Sequence, residues 1–540
     1  MPRFVSKIST MSDAFKANRA EMLDLTAKLD ELNERCVLAS EKRKPRFDER
    51  GQLTPRERLS RLLDPGMPFL EIGNMAGYLL DTDDPEKSVP GGSVIAGIGF
   101  VAGVRVTIVV DDSGINAGAM TAGGGYRLRR CQEIALQKKL PFIHLVESAG
   151  ANLMKYTVEG FIAGGSIFAN LARLSAAGVP VITVLHGAST AGGAYMPGLS
   201  DYVVAIRGRG KAFLAGPALL KAATGEVATE EDLGGAEMHA SVSGLAEYLA
   251  ENDGHGLLIA REVVARLQWN ARCPARAGGT FAEPVYDPEE IAGIVPLDYR
   301  KPYDVREVVA RVVDGSEILD FKPGYGVSTV CLQAEVYGQA FGLIGNNGPI
   351  DPDGATKAGQ FMQLCDQAQI PLVFFQNTTG YLVGTQYERA GMIKHGSKMI
   401  QAVTNVSVPR LTFMIGASFG AGNYGMCGRG YDPDFVFSWP NTRTGVMGGA
   451  QAARTMSQVM MAGAARRGID LDEAQMKTQE DMLTQHFDGQ SDAFYTSGHL
   501  LDDGLIDPRD TRRVLGFLLE TCWEARHREV RPNSFGIARM

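Results

Sequence analysis

No Cys-x-x-Cys pair occurs among the seven cysteines of this 540-residue chain. They form an odd set scattered over the whole length: Cys36, Cys131, Cys273, Cys331, Cys365, Cys427 and Cys522. Such a set excludes a disulfide framework and a zinc ribbon, and it favours a reducing, cytoplasmic compartment. No apolar run approaches the roughly 18 residues that a membrane-spanning helix needs, so we expect a protein without a membrane segment.

Charge and composition do not indicate a nucleic-acid partner. The chain has 54 Lys and Arg against 62 Asp and Glu, a net charge of −8, which argues against a general nucleic-acid binder. Hydrophobic residues make up 45% and charged residues 21%, close to the average of soluble globular proteins. The length allows two to four domains. The first ten residues, MPRFVSKIST, have no apolar core of a secretory signal and are predicted to be a disordered tip.

Three common catalytic patterns are also missing. The phosphate-binding pattern GxxxxGK[ST] does not occur, and GGGYRL (123–128) is a poor dinucleotide fingerprint because no suitable acidic residue follows it. No GxSxG elbow is present. A serine hydrolase stays a weak alternative on the residues Ser148, Ser189, His144, His186 and Asp201. In such an enzyme Ser189→Ala would abolish activity.

The two halves of the chain repeat one another. PFIHLVESAG begins at residue 141 and PLVFFQNTTG at residue 371, an offset of 230. GASTAGGAY begins at residue 187 and GASFGAGNY at residue 416, an offset of 229. The near-constant offset predicts a duplicated domain. A stretch rich in Pro and Gly lies between the copies, so we predict an N-terminal domain at 1–275, a linker at 276–304 and a C-terminal domain at 305–540.

Each copy is predicted to be α/β. Apolar runs such as VITVLHG and LTFMIG alternate with helical stretches, a pattern typical of buried parallel strands joined by helical crossovers. The charged segment 13–63 carries leucines at roughly helical spacing and predicts packing or interface helices before the first sheet.

Each copy also has two turns made of small residues. The first is ESAGA (147–151) or NTTGY (377–381), and the second lies within 187–195 or 416–424, between a strand and a possible helix start. Backbone N–H groups at a helix start attract negative charge, and Gly or Ala leaves them uncovered. Close packing of helix on sheet is the alternative explanation for a single such turn. Because the arrangement is duplicated, we predict two anion sites of the same design.

These segments resemble one known family over almost the whole chain, the carboxyltransferase (beta) subunits of biotin-dependent acyl-CoA carboxylases. The matching segments are TPRERLSRLLDPG (54–66), LVESAGANL (145–153), STAGGAYMPGLSD (189–201), EDLGGAEMH (231–239), NTTGYLVG (377–384), SFGAGNYGMCGRGYDP (418–433) and WPNTRTGVMGG (439–449). The resemblance implies a duplicated crotonase (ClpP-like) fold, with two homologous carboxyltransferase domains built on parallel sheets and helical crossovers.

The resemblance also implies a division of labour. The N-terminal half mainly holds an acyl-CoA, the C-terminal half of a second subunit helps to hold biotin, and the reaction takes place at their interface. Carboxybiotin releases CO2, the biotin anion removes a proton from the thioester substrate, and the substrate enolate attacks the CO2. Two oxyanions form, so two sets of donors are needed. The candidate catalytic backbone groups belong to Gly192, Gly193, Ala421, Gly422, Ala149, Gly150, Thr379 and Gly380.

The same resemblance narrows the substrate. GAGNYGMCGRGY is similar to the methylcrotonoyl and geranyl branches, which carboxylate the γ methyl of a 3-methyl-2-enoyl thioester. Gly164 falls where the methylcrotonoyl branch usually has Phe, so a longer acyl chain fits and geranyl-CoA is expected. Methylcrotonoyl-CoA is the alternative, and so is the possibility that Gly164 and Gly165 simply begin a tightly packed helix.

Further residues are predicted to bind substrate or cofactor. Basic residues at a helix start suggest contact with CoA phosphates, which makes Arg127, Arg129 and Arg130 substrate-binding candidates. The other substrate-binding candidates are Gly164, Gly165 and Tyr195. The cofactor-binding candidates are Gly380, Tyr381, Asn423 and Tyr424. A solvated helix face is the alternative for the arginines, and core packing is the alternative for Tyr195 and Tyr424. Cys427 is predicted to be structural.

Biotin is expected to be carried by another chain. No biotin attachment segment of the Ala-Met-Lys-Met kind and no ATP-grasp region occur in the sequence. The resemblance therefore implies a biotinylated, ATP-using alpha subunit as partner, a beta homo-oligomer, a hexamer in particular, and no metal in this chain. A biotin-dependent decarboxylase component and a non-catalytic assembly subunit stay open as other classes.

Overall fold

The computed structural model describes residues 2–80, 82–151, 155, 157–276, 279–467 and 472–537. The chain divides into two compact units. The N-half unit comprises Glu31–Arg276, Gly498–Leu500 and Thr521–Met540. The C-half unit comprises Met1–Asp30, Ala277–Ser497 and Leu501–Glu520. Each unit takes its sheet from one half of the chain and a terminal segment from the other half.

The sheet of the N-half unit has parallel strands at its centre. Its strands and the separate short pair β4 and β6 are β1 (Leu70–Glu71), β2 (Val94–Val101), β3 (Val104–Asp111), β4 (Ala119–Met120), β5 (Phe142–Ser148), β6 (Gly150–Ala151), β7 (Val181–Thr190), β8 (Tyr202–Ile206), β9 (Lys211–Phe213) and β10 (Tyr248–Ala250). The order is β1-β2-β3-β5-β7-β8-β10, with β9 beside the end of β7. Strands β3, β5, β7, β8 and β10 run parallel, whereas β1 and β2 are antiparallel additions.

The sheet of the C-half unit repeats this plan. Its strands are β11 (Leu319–Asp320), β12 (Thr329–Val336), β13 (Gln339–Asn346), β14 (Leu372–Thr378), β15 (Arg410–Phe419), β16 (Phe435–Ser438) and β17 (Arg443–Gly445). They lie in the order β11-β12-β13-β14-β15-β16, with β17 beside the end of β15. The two antiparallel strands and the parallel remainder match the other sheet. The predicted fold class, duplicated α/β with parallel sheets, is confirmed.

Helices precede, connect and follow the strands of both sheets. In the first half of the chain they are α1 (Asp13–Glu41), α2 (Lys44–Glu49), α3 (Pro55–Leu62), α4 (Ala122–Lys138), α5 (Val158–Ala176), α6 (Tyr195–Gly198), α7 (Pro217–Thr224), α8 (Glu230–Gly234), α9 (Ala236–Ser241) and α10 (Asp253–Arg266). In the second half they are α11 (Ile291–Ile294), α12 (Val305–Val309), α13 (Pro352–Gln367), α14 (Thr385–Arg389), α15 (Met392–Asn405), α16 (Gly420–Gly425), α17 (Gly449–Arg466), α18 (Glu473–Ser491), α19 (Ala493–Gly498) and α20 (Thr511–His527).

The apolar strands supply one core to each unit. Ile108, Ile143 and Val184 of neighbouring strands are fully buried in the N-half unit, as Ile344 and Phe374 are in the C-half unit. Strands buried on both faces need almost continuous apolar sequence, which is why runs such as VITVL identify them. Among the described residues no helix combines the length and apolarity needed to cross a membrane.

One prediction about the N-terminus is wrong. The segment at residues 3–7 is bound to the C-half unit rather than disordered. Arg3 forms a β-bridge with Glu317, and the Phe4 N–H donates to the Ser316 carbonyl at 2.9 Å. The Lys7 N–H donates to the carboxylate of Glu307 at 2.7 Å. These backbone bonds are long-range, so local sequence patterns do not reveal them.

Candidate functional site

In the N-half unit, the second small-residue turn starts a helix directly after β7. Ala191 has a φ of +53°, an unusual left-handed conformation for a residue with a side chain. A short 3-10 helix at Ala191–Ala194 follows. Gly192 and Gly193 lie in its first turn, where backbone N–H groups have no carbonyl of their own helix to bind. Strain of this kind is often kept where function requires it.

The C-half unit has the same turn after β15. Gly420 has a φ of +55° and corresponds to Ala191, and helix α16 begins there. Ala421 and Gly422 are the second and third residues of this helix, so their N–H groups also lack an intrahelical partner. Both predicted helix starts are therefore present, and a residue with positive φ, Ala191 or Gly420, begins each of them; that they bind anions stays a prediction.

The first and second turns meet within each unit. A Cβ added to Gly422 would lie 2.8 Å from the Cα of Gly380, so only glycine allows this contact. A Cβ added to Gly380 would in turn lie 3.5 Å from the carbonyl oxygen of Phe419. In the other unit, Gly150 faces the Thr190 carbonyl oxygen in the same way, at 3.4 Å.

Some of the predicted backbone donors are already used inside the protein. The Ala149 N–H donates to the Gly118 carbonyl at 2.9 Å, and the Gly150 N–H donates to Ser148 Oγ at 3.1 Å. The Gly380 N–H donates to Thr378 Oγ1 at 3.2 Å. The expectation that these three amides are uncovered donors is wrong, because they hold the first turn in shape. Thr379, the residue before Gly380, is exposed.

Serine hydrolysis finds no support in the geometry. Ser189 Oγ donates to the Gly193 carbonyl at 2.8 Å, and Ser148 Oγ donates to the Gly118 carbonyl at 3.3 Å. His186 is fully buried against Asp253, and His144 Nε2 lies 3.1 Å from Asp111. Within the described part of the chain neither serine is hydrogen-bonded to a histidine, so the nucleophile–base pair of that mechanism is not formed there.

A side chain packs behind each pair of turns. The strand pairing shifts register at this residue, between Val146 and Ser148 in the N-half unit and between Gln376 and Thr378 in the C-half unit. In the N-half unit this residue is Glu147, whose Oε2 receives a hydrogen bond from Arg58 Nη1.

A buried charged network continues from Arg58. Arg58 and His186 are fully buried, and Arg58 Nη2 lies 3.9 Å from Oδ2 of Asp253. Asp253 accepts hydrogen bonds from His186 Nδ1 and from the Leu53 N–H, each at 2.7 Å. Burial, together with the charge of Arg58, lowers the pKa of His186 to about 4. His186 is therefore neutral at physiological pH, and its Nδ1–H donates to the Asp253 carboxylate.

A cavity of about 600 Å³ opens above this network in the N-half unit. Its lining includes Glu147, Ala149 and Gly187. Five basic side chains also line it: Arg43, Arg46, Arg50, Arg209 and Lys211. A pocket with such a charge attracts anionic groups such as phosphates.

A notch in helix α5 lies near the second turn of the same unit. A Cβ added to Gly164 or Gly165 would meet no atom of the described residues within 4 Å. Phe161 and Phe168 stand one turn before and one turn after the glycines, on the same helix face. A Cβ added to Gly192 would lie 3.5 Å from Phe168. Both glycines lie inside the helix and meet open space, so the alternative that they begin a tightly packed helix is wrong.

The basic residues predicted on helix α4 are a poor site for phosphates. Arg127 is buried, and its guanidinium donates to the carbonyls of Ile72, Gly91, Val94 and Ala96 and to the carboxylate of Glu71. All five of its N–H groups are used, so the prediction that Arg127 binds CoA phosphate is wrong. Arg130 is 9% exposed and has partners within the protein. Arg129 stacks on Tyr126, 4.5 Å from the ring centre.

The predicted polar side chains of the C-half turn have structural partners. Asn423 Nδ2 donates to Ser418 Oγ at 2.7 Å, and the Tyr381 hydroxyl packs against Met399. Both side chains therefore have a partner inside the protein, and their contact with a cofactor stays a prediction. Tyr195 and Tyr424 are 51% and 49% exposed, which excludes core packing in each unit as the reason for their duplication.

Cys427 is buried in the C-half unit, and burial raises the pKa of its thiol to about 12. A thiol with such a pKa stays protonated and inert at neutral pH, as expected for a structural cysteine.

The sequence analysis missed the residues that form the cavity. Glu147 lies in the segment LVESAGANL (145–153), but its hydrogen bond to Arg58 joins residues 89 positions apart, which no local pattern reveals. The basic run EKRKPRFDERG at 41–51 is visible in the sequence and could have suggested the cavity lining. Phe161 and Phe168 could have been noted from their spacing around the two glycines.

Comparisons with known proteins agree with this architecture. Residues 47–535 match the family model of the carboxyl transferase domain. The chain is 46% identical over 537 residues to a probable biotin-dependent acyl-coenzyme A carboxylase beta2 subunit of Mycobacterium tuberculosis, covering 98% of this chain and 99% of that protein. It is 42% identical over 542 residues to the mitochondrial methylcrotonoyl-CoA carboxylase beta chain of Arabidopsis thaliana, covering 98% and 90%.

A solved structure is also similar over the full length. The beta subunit of P. aeruginosa geranyl-CoA carboxylase shares 52% identity, with a TM-score of 0.93 and coverage of 100% of both chains.

Proposed function

This chain belongs to the carboxyltransferase subunits of biotin-dependent acyl-CoA carboxylases, and we propose that its acceptor is a 3-methyl-2-enoyl-CoA, geranyl-CoA in particular, carboxylated at the γ carbon. The observation that favours geranyl-CoA is the notch at Gly164, because it leaves open space beside the turn that starts at Ala191. The 52% identity to a geranyl-CoA carboxylase beta subunit supports it.

The acyl chain would lie along helix α5. Phe168 packs near Gly192 and forms an edge-to-face contact with Tyr195, with ring centres 6.0 Å apart. This apolar wall leads from the turn to Gly164 and Gly165. A bulky residue at Gly164 would fill that space, whereas glycine leaves it for an isoprenoid tail. Each methylene accommodated is worth about 1–3 kcal/mol, so shorter substrates retain part of the activity.

Backbone amides would stabilise the charges of the reaction. Gly192 and Gly193 would donate to the oxygen of the substrate thioester, which becomes negative when a proton leaves the γ carbon. Ala421 and Gly422, with Thr379, would donate to the ureido oxygen of biotin. When bound, biotin supplies the carboxyl group and the base. The fit rests on the helix start at α16, which presents donors without side chains to an acceptor oxygen.

The CoA phosphates would bind at the basic cavity rather than on α4. Arg43, Arg46 and Arg50 belong to helix α2 and its two ends, and Arg209 and Lys211 belong to the turn after β8 and to β9. The cavity wall includes Ala149 and Gly187, which belong to the turn region. A CoA with its phosphates at the basic residues would therefore direct its thioester toward the turns.

We also propose a biotinylated alpha subunit as partner. Two of the relatives described above are named beta chains or subunits of biotin-dependent carboxylases, and such a subunit needs carboxylated biotin from elsewhere. The reaction at an interface between subunits and the beta hexamer stay predictions. So does the assignment of residues 1–275 to acyl-CoA and 305–540 to biotin.

The test is a substrate panel with the reconstituted two-subunit enzyme, ATP and bicarbonate. We expect the highest kcat/KM for geranyl-CoA, a lower value for methylcrotonoyl-CoA and the lowest for propionyl-CoA. A preference for methylcrotonoyl-CoA would assign the chain to that alternative, which its 42% identity to a methylcrotonoyl-CoA carboxylase beta chain supports. Failure to carboxylate any of the three, with decarboxylation of a carboxylated thioester, would assign it to the decarboxylases.

A further inference from the structure

The cavity of the N-half unit is lined by charges of both signs. Five basic side chains line it, yet the carboxylate of Glu147 forms part of the same wall beside Gly187. Oε1 of Glu147 would lie 2.9 Å from a Cβ on Gly187, so this oxygen lies against the backbone of the turn region. A carboxylate in a pocket for a polyanion repels the phosphates unless it binds another part of the same ligand.

Buried partners fix the Glu147 carboxylate in position. Oε2 is bound by Arg58, which is fully buried and has Nε and Nη2 without a hydrogen-bond partner in the described structure. Arg58 lies in the capped helix α3 and close to Asp253, which is itself anchored by two hydrogen bonds. Glu147 therefore cannot turn away to let an anion enter.

We propose that Glu147 is a substrate-binding residue whose carboxylate accepts a hydrogen bond from an amide N–H of the pantetheine arm of the acyl-CoA. This inference rests on the proposed function, in which the cavity holds CoA. The arm carries neutral amide donors between the anionic phosphates and the thioester. A carboxylate beside Gly187 would therefore hold the arm next to the turns, with the thioester at the turns and the phosphates toward the arginines of the α2 segment.

Binding measurements separate this role from general attraction of CoA. The probes are geranyl-CoA and geranyl-pantetheine, which share the arm but differ in the phosphates, titrated calorimetrically into the homomeric chain without biotin. We expect Glu147→Ala to raise Kd for both ligands by the same factor, about tenfold, as for a lost hydrogen bond to a charged group. Glu147→Gln keeps the shape and one acceptor, so a smaller loss is expected for both.

Two control variants distinguish a contact with the pantetheine arm from a contact with the phosphates. Arg46→Gln should raise Kd for geranyl-CoA and leave geranyl-pantetheine unchanged, because Arg46 would meet only phosphates. Glu230→Gln removes another carboxylate of the cavity wall, 2.9 Å from Lys211, and should leave Kd for geranyl-pantetheine unchanged. If Glu147→Ala destabilises the chain by leaving Arg58 unpaired, the double variant with Arg58→Met removes that charge and is titrated instead.

The proposal is overturned if Glu147→Ala leaves both Kd values unchanged, or changes that of geranyl-CoA alone. Because the titration needs neither carboxybiotin nor the alpha subunit, a wild-type enzyme that fails to carboxylate geranyl-CoA would contradict the proposed function without altering this pattern.

Discussion

A Cβ added to Gly187 would lie 2.5 Å from the Cγ of Glu147. In the other unit, a Cβ added to Gly416 would lie 2.4 Å from Oδ1 of Asn377. In both units, therefore, the next-to-last residue of one strand packs so closely on a glycine of the neighbouring strand that this glycine cannot carry a side chain. The glycine is the same in both copies, whereas its neighbour is charged Glu147 in one and neutral Asn377 in the other. The two units therefore share this contact and differ in its charge.

Gly187→Ala should therefore displace Glu147 from Arg58. Overpacking of this kind typically costs about 1–3 kcal/mol, so we expect a lower thermal midpoint and weaker binding of acyl-CoA. Differential scanning fluorimetry and calorimetric titration measure the two effects. Gly198→Ala is the matched control, since a Cβ there would meet no atom within 4 Å. Equal midpoints for both variants would show that Glu147 moves aside without cost.

The sequence predicts the duplication and the turns because both leave local signals. Apolar runs identify buried strands, and small residues after them mark the turns, so Gly192 and Gly422 could be named in advance. The partner of the Ala149 N–H is the distant Gly118 carbonyl, which no local pattern gives, whereas the Gly150 N–H binds Ser148 Oγ two residues before it, a local turn that the sequence analysis overlooked. Arg127 shows the same limit: its charge is visible in the sequence, but four carbonyl groups from distant positions bind it.

Gly422→Ala should impair carboxyl transfer more than acyl-CoA binding. The new Cβ would lie 2.8 Å from the Cα of Gly380, so the two turns of the C-half unit must separate and the donors of α16 move. Displacing one such donor typically lowers kcat about 100-fold or more. The measurement is kcat of the reconstituted enzyme beside Kd for geranyl-CoA, which should stay constant. Gly430→Ala meets no atom within 4 Å and serves as control; a similar kcat for the two variants would contradict the role of this turn.

Gly164→Phe should reduce kcat/KM for geranyl-CoA far more than for methylcrotonoyl-CoA. The aromatic ring would occupy the notch between Phe161 and Phe168, and several methylenes at about 1–3 kcal/mol each correspond to a loss of about 100-fold or more for the longer chain. Gly164→Ala adds one carbon to open space and should keep the preference for geranyl-CoA while favouring the helix by about 1 kcal/mol. Equal losses on both substrates would remove the argument from the notch.

Asp502→Asn should stabilise the protein at pH 8 and have little effect at pH 4. Asp502 is buried in the C-half unit, where it accepts hydrogen bonds from Ser438 Oγ, Ser497 Oγ and the Gly504 N–H at 2.6, 2.7 and 3.0 Å. Burial is the main cause that raises its pKa from 3.8 to about 6. The folded protein thus holds a proton that the unfolded chain loses near pH 4, and wild-type stability falls between pH 4 and pH 6.

Above pH 6 the folded protein carries the unfavourable buried charge, on the order of 3 kcal/mol for a shift of about two pKa units. Asparagine has no charge to bury, and its amide N–H2 group can donate to Ser438 while its oxygen still accepts from Ser497 and Gly504. Thermal midpoints of wild type and variant across pH 4 to pH 8 should therefore diverge as pH rises. Parallel curves would mean that Asp502 titrates alike in the folded and unfolded states, and that its three hydrogen bonds offset the whole effect of burial.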